Sequence, residues 1–313
     1  IYKYMLGWDI FQFSGSMLLI YFSADLIVRY GKEIAISLGV SRYIIGLTLI
    51  AFGTSFPELV VNVNASIIKE SGIVFGNIIG SNIANIALVL SSCAVIKYIK
   101  TDKVEKKDLI FFVLSAVFTF LIAIDGQIKV FEGFLLLLGF ILYCYSIKKS
   151  INDFSDDKSE IKKKYKVNFY ALVIVTCAFF TLIAGSNLFI DSAISLAKRF
   201  NVSTLAISVT LVAIGTSLPE LATSIIAIIK KEYDLLIGNI IGSNIMNLLM
   251  VLGSSAVINS IVVDIDYTSL TLMISLTFLI LAFNIFRIRI SRIFGLVLLI
   301  IYIVFIYSNF NNI

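Results

Sequence analysis

The chain has 313 residues, 59% of them hydrophobic and 14% charged, a net charge of +5 and a mean hydropathy of +1.00. A soluble domain carries about 25% charge, so this composition excludes a soluble protein and reads as a polytopic membrane protein. There is no histidine, which removes His-ligated zinc, HExxH proteases and imidazole proton relays. Cys93, Cys144 and Cys177 lie in apolar stretches, too scattered for a disulfide framework or a thiolate metal site, and read as inert packing.

Ten apolar segments follow one another at about 8–30, 42–68, 72–97, 108–124, 130–147, 168–197, 203–229, 234–260, 268–286 and 291–308. Most exceed the ~20 residues needed to cross a bilayer as a helix. The first reads as a span rather than a cleavable leader. The one sustained polar interval is 148–167, a linker between a first five-span half (1–147) and a second (168–313). An odd number of spans per half forces the halves into opposite orientations, related by a pseudo-two-fold axis in the membrane plane. The fold expected is therefore all-α: ten transmembrane helices as two inverted five-helix repeats.

Lysines and arginines orient the chain. With the linker cytoplasmic, Arg29, Lys32, Arg42, the Lys97–Lys107 cluster, the linker lysines, Lys230, Lys231, Arg287, Arg289 and Arg292 all face the cytoplasm. Only Lys3, Lys69, Lys129, Lys198 and Arg199 face outward. This is the positive-inside asymmetry. It implies a plasma-membrane protein with both termini extracellular, and it makes the positive charge a membrane signal rather than a nucleic-acid one.

Residues 23–96 align without a gap on 185–258, at a constant offset of 162. Between Val40 and Ile96 about half the positions are identical. Such self-similarity marks a transporter built from repeats. Each copy sets one glutamate in an apolar helix, Glu58 in AFGTSFPELV and Glu220 in AIGTSLPELA, and then repeats GNIIGSN at 76–82 and 238–244. The motifs span 51–85 and 213–247.

Pro57 lacks an amide hydrogen and crowds the carbonyl four residues back. Carbonyls near Ala51–Thr54, and near Ala213–Thr216 beside Pro219, are expected to be released toward a polar cavity, because lipid offers them no partner. Thr54, Ser55, Thr216 and Ser217 add hydroxyls, and Glu58 lies one turn beyond Thr54. Ser81 with Asn85, and Ser243 with Asn247, share faces of the next helices and would complete the cage. A charged side chain at the bilayer centre costs about 2.5–3.5 kcal/mol, and neither glutamate has a basic neighbour in its segment. A dication between the two removes both penalties. An all-oxygen donor set suits Ca²⁺, Na⁺ or Mg²⁺, and a dry multi-oxygen cage favours Ca²⁺. Glycines Gly76, Gly80, Gly238 and Gly242 permit close helix approach. Asp25 and Asp191 are weaker site candidates; Asp25, with Arg29 one turn away, reads as its ion-pair partner or as an interfacial residue.

GTSFPE and GTSLPE, each followed by GNIIGSN, resemble the two α-repeats of the calcium/cation antiporter superfamily, in its prokaryotic sodium/calcium exchanger branch. The resemblance covers essentially the whole chain. It implies Na⁺/Ca²⁺ antiport by alternating access, with Ca²⁺ and Na⁺ as substrates, the bilayer as surroundings, and no cofactor, enzymatic activity or obligate protein partner. It implies a Ca²⁺ site of Glu58, Glu220 and the Thr54 and Thr216 carbonyls. One flanking Na⁺ site would use Ala51, Thr54, Glu58, Ser81 and Ser217; the other Ser55, Ala213, Thr216, Glu220 and Ser243; Asn85 and Asn247 would form the central polar position. Asn247 stands where many relatives have aspartate, which argues against K⁺ co-transport. The 20-residue linker is too short for a fused regulatory domain. The alternatives are a proton/calcium antiporter and a passive cation channel. The first is disfavoured because its relatives carry a glutamate where Ser81, Asn85, Ser243 and Asn247 stand; the second has no need of a duplicated ligand set.

Overall fold

Apolar runs become helices in lipid because only a helix satisfies its own backbone there. In the computed structural model, which describes residues 2–100, 104–156, 169–199, 216–263 and 267–311, helices occupy the expected intervals, although 203–215 of the seventh lies outside the described residues. The first half contains α1 (Tyr2–Leu38), α2 (Arg42–Thr54), α3 (Phe56–Ile67), α4 (Ser71–Ile96), α5 (Lys106–Ala123) and α6 (Val130–Asp156). The second contains α7 (Phe169–Arg199), α8 (Leu218–Ile229), α9 (Tyr233–Ile258), α10 (Tyr267–Ile285) and α11 (Arg292–Asn311). Among the described residues six helices are long and apolar enough to cross a membrane, or seven if the bent pair α2–α3 is one span. Two boundaries differ from the sequence reading. The first helix runs well past 8–30, and α6 continues through residue 156 into the interval assigned to the linker. Hydropathy marks where a helix leaves lipid, and the backbone ladder carries on into water.

α9 is enclosed by its neighbours along its whole apolar window and α4 along most of its own, while α1, α6 and α7 present most of theirs outward. α1 and α7 pack along each other at the periphery. The outer faces bear large apolar side chains such as Phe131, Phe180 and Ile293, as a lipid-facing surface requires.

Glycine sets how closely the halves approach. A Cβ at Gly238 would lie 2.3 Å from the Tyr43 carbonyl oxygen, and one at Gly242 would lie 2.4 Å from that of Leu47. A Cβ at Gly46 would meet the Leu235 carbonyl oxygen at 2.3 Å. α2 and α9 thus cross backbone against backbone, as the glycine spacing predicts. Among the described residues nothing meets a Cβ at Gly76 or Gly80; their partners by the offset, in 205–213, lie outside the described residues.

Two antiparallel ladders of two-residue strands tie the ends of the bundle, a detail the all-α reading omits. β1 (Ile99–Lys100) pairs with β4 (Arg289–Ile290), and β2 (Gln127–Ile128) with β3 (Ile261–Val262). The registers are Ile99↔Ile290 and Ile128↔Ile261. Adding 162 to 99 and 128 gives 261 and 290, so each ladder is the other's image under the sequence offset. Each also joins loops that the charge distribution puts on one side.

At the end holding β1 and β4, Glu232 is nearly enclosed and pairs with Lys32, at 2.9 Å, and with Arg42. Asp25 pairs with Lys230 at 2.6 Å. The expected Asp25–Arg29 pair is not the one formed: Arg29 lies over the Tyr30 ring. A partner 205 positions away is invisible to helical spacing. Cys93 is buried, whereas Cys144 and Cys177 are exposed on the outer surface rather than packed inside.

Candidate cation site

Glu58 sits just past a helix break, and Glu220 in the matching first turn of α8. α2 and α3 meet at Ser55 with a 43° bend, and Ser55 takes φ −84, ψ 1. Ser217, the offset match, takes φ −90, ψ 4 before α8. The cause is shared: proline at the second position of each following helix has no hydrogen to give the ladder. Glu58 and Glu220 then fall in the first turn of α3 and α8, where a helix N-terminus favours negative charge.

The halves touch at these positions. The Thr54 hydroxyl lies 3.3 Å from Asn239 Oδ1 and 3.4 Å from Ser243 Oγ. The Thr216 hydroxyl donates to Asn77 Oδ1, also at 3.3 Å. Positions 54 and 239 map onto 216 and 77 under the offset, so the contact is made twice, each time between halves. Glu58 and Glu220 interact electrostatically with one another, and Thr54 and Ser55 border Glu220. No hydrogen bond of good geometry reaches either carboxylate.

Asn85 and Asn247 each open a π-turn, Asn85–Leu90 and Asn247–Val251. A π-turn inserts an extra residue into the helix and recurs at functional sites. The turn at Asn85 packs against α8, which bears Glu220, and the turn at Asn247 packs against α3, which bears Glu58. A third π-turn, Gly46–Ile50, precedes Ala51 in α2.

Burial gives the site its chemistry. Glu58 and Glu220 are each 1% exposed, and Thr54, Ser55, Ser81, Asn85, Ser217, Ser243 and Asn247 are buried with them; Thr216 is half-buried. Both oxygens of both carboxylates, the hydroxyls of Ser55, Ser81 and Ser217, and the amides of Asn85 and Asn247 have no hydrogen-bond partner. Buried polar groups are paired in the great majority of cases, and unpaired buried charge is costly. Among the described residues no ion pair reaches either glutamate, and no three of His, Cys, Asp and Glu cluster. The set offers two formal negative charges and many neutral oxygens, which suits a hard cation.

Of the twelve residues named from the sequence, Thr54, Ser243, Glu58, Glu220 and Ser55 are joined by contacts or mutual electrostatics. Thr216 contacts Asn77 on α4. Ser81 and Asn85 are buried on α4, Asn247 on α9 and Ser217 just before α8. Ala213 lies outside the described residues. Ala51 is buried, but its carbonyl accepts the Ser55 amide at 3.0 Å and lies 3.3 Å from the Thr54 hydroxyl. It is therefore not released as expected, because Pro57 withdraws a donor from Gly53 rather than from Ala51. Asn77 and Asn239 were missed, although the repeated GN pair was the signal that could have found them. Asn62 was missed too; its amide donates to the Glu58 carbonyl at 2.6 Å.

A family model described as sodium/calcium exchanger protein matches residues 8–148 and 170–311. The putative antiporter CaxA of Alkalimonas amylolytica is 36% identical, over 98% of this chain and 100% of its own length. The sodium/calcium exchanger MaX1 of Methanosarcina acetivorans is 30% identical, over 90% of this chain and 93% of its own. Among solved structures, the sodium-calcium exchanger NCX_Mj matches with a TM-score of 0.85 at 31% identity, over 97% of this chain and 99% of that one. With both halves matched and the coverage nearly complete, this chain belongs to the sodium/calcium exchanger family.

Proposed function

We propose that the protein exchanges Na⁺ for Ca²⁺ across the plasma membrane by alternating access, through one cage built around Glu58 and Glu220. The observation that carries the reading is this pair of carboxylates, contributed by opposite halves, buried together and without a basic partner among the described residues. Ca²⁺ would bind between them with the Thr54 and Thr216 carbonyls. Na⁺ would occupy flanking positions among Thr54, Glu58, Ser81 and Ser217, and among Ser55, Ala213, Thr216, Glu220 and Ser243, with Asn85 and Asn247 between.

Ten spans in two inverted halves, with the 148–167 linker cytoplasmic and both termini outside, fit the offset-related ladders and cross-half hydrogen bonds. Inversion makes the cage accessible from either side by the same rearrangement run in opposite senses. Two carboxylates neutralise one Ca²⁺, whereas three Na⁺ leave one excess positive charge. Exchange at that ratio moves one net charge per cycle. A proton/calcium antiporter, the alternative, has less support: among the described residues no third carboxylate joins Glu58 and Glu220 in the cage.

The test is ⁴⁵Ca²⁺ uptake into proteoliposomes. Uptake should follow an outward Na⁺ gradient and not an outward H⁺ gradient. With the potential clamped by valinomycin and K⁺, the uptake rate should shift with the imposed voltage, which is worth up to about 2.3 kcal/mol per charge per 100 mV. Uptake driven equally by H⁺ alone would replace this reading with proton coupling, and indifference to voltage would rule out a net charge per cycle.

A further inference from the structure

We propose that Asn239 and Asn77 are positioning residues that set the hydrogen-bond polarity of Thr54 and Thr216, turning both hydroxyls into acceptors toward the transported cation. The inference rests on Glu58 and Glu220 holding that cation.

A threonine hydroxyl has one proton and two lone pairs. It helps hold a cation only when its proton points away from the cage. The second half shows how that direction is fixed. The Thr223 hydroxyl donates to the Pro219 carbonyl at 2.8 Å and lies 3.1 Å from that of Glu220. Its proton is thus used on the backbone, and toward Asn239 it can only accept. Asn239 Nδ2 points at it, 3.4 Å away, and at the Ser224 hydroxyl at the same distance. With its NH₂ held there, Asn239 turns Oδ1 toward Thr54 and offers its proton an acceptor, beside the Ala51 carbonyl at the same 3.3 Å. Were Asn239 reversed, its NH₂ would face Thr54 and remove that acceptor.

The first half reaches the same polarity by other residues. Val61 and Asn62 stand at the positions matching Thr223 and Ser224. Asn62 spends its Nδ2 on the Glu58 carbonyl, and its buried Oδ1 has no partner. Asn77 turns Oδ1 toward Thr216, and its buried Nδ2 has no partner. The two atoms are not bonded to each other, and Val61 cannot take the part that Thr223 plays, so among the described residues Asn77 is oriented by its contact with Thr216. Each threonine is held by an amide from the other half, so the cage is completed only when the halves are correctly docked.

The test is a double-mutant cycle on purified protein in detergent, reading the Na⁺ concentration that half-maximally raises the melting temperature. Asn239→Leu removes the acceptor at nearly constant volume. Loss of one neutral hydrogen bond should raise that concentration about fivefold. In a Thr54→Val background, which has no hydroxyl to orient, Asn239→Leu should add less than about a twofold change. Asn77→Leu with Thr216→Val repeats the cycle on the other half, should one variant fail to fold. An unchanged Na⁺ dependence in Asn239→Leu, or the same fivefold change with and without the Thr54 hydroxyl, would overturn the assignment and leave Asn239 a packing residue. Exchange assays on the same proteins separate this claim from antiport, since binding reads the cage whether or not transport follows.

Discussion

Glu58→Gln and Glu220→Gln should each reduce Na⁺-driven ⁴⁵Ca²⁺ uptake to background while the protein still purifies as a folded monodisperse species. Glutamine keeps the shape and one oxygen but removes half of the formal negative charge available to Ca²⁺. Both carboxylates are 1% exposed and have no basic partner among the described residues, so no ion pair is broken. Uncompensated charge in the bilayer centre costs about 2.5–3.5 kcal/mol on insertion scales. Without ions, the variants should therefore melt at or above the wild-type temperature. The addition of Ca²⁺ should raise the melting temperature of the wild type and not that of the double variant. Calcium transport by the double variant would end the two-carboxylate account.

Gly242→Ala should lower stability by about 1–3 kcal/mol, the usual cost of overpacking, and should remove most exchange activity. The added methyl would lie 2.4 Å from the Leu47 carbonyl oxygen and 2.7 Å from the Ala51 Cβ. Neither neighbour is the end of a flexible side chain, so α2 and α9 must separate. Ser243, the next residue, lies 3.4 Å from the Thr54 hydroxyl, and separation opens that contact. Gly72→Ala in the first turn of α4 is the control. A Cβ there meets nothing within 4 Å among the described residues, and alanine is the better helix former. Its melting temperature should be unchanged or slightly higher. Equal tolerance at both positions would mean that α2 and α9 do not cross as tightly as the structure has them.

The duplication made much of this legible from the sequence. GTSFPE marks the bend at Ser55, GTSFPE and GTSLPE the buried acids, and GNIIGSN at 238–244 the close crossing, because proline, glycine and charge each have a local physical cost in lipid. The readings that failed depend on what a residue meets rather than on what it is. Asp25 has Arg29 one turn away, yet it bonds to Lys230 across the bundle. The Ala51 carbonyl was counted as free because Pro57 is near, yet the Ser55 amide still reaches it. Asn77 and Asn239 sit in the quoted motif but act on threonines of the opposite half, and no periodicity within one helix predicts that. The π-turns at Asn85 and Asn247 depend on one residue of register, which hydropathy does not encode.

One cage with two carboxylates cannot hold Ca²⁺ and a full complement of Na⁺ together, and that mutual exclusion is what would make this protein an exchanger. The direct measurement is equilibrium ⁴⁵Ca²⁺ binding to the purified protein against increasing Na⁺. The expected result is one Ca²⁺ bound per chain, displaced completely and cooperatively by Na⁺, and no specific binding to the Glu58→Gln/Glu220→Gln variant. Calcium that stays bound at saturating Na⁺, or that binds the double variant as it binds the wild type, would contradict a single shared site.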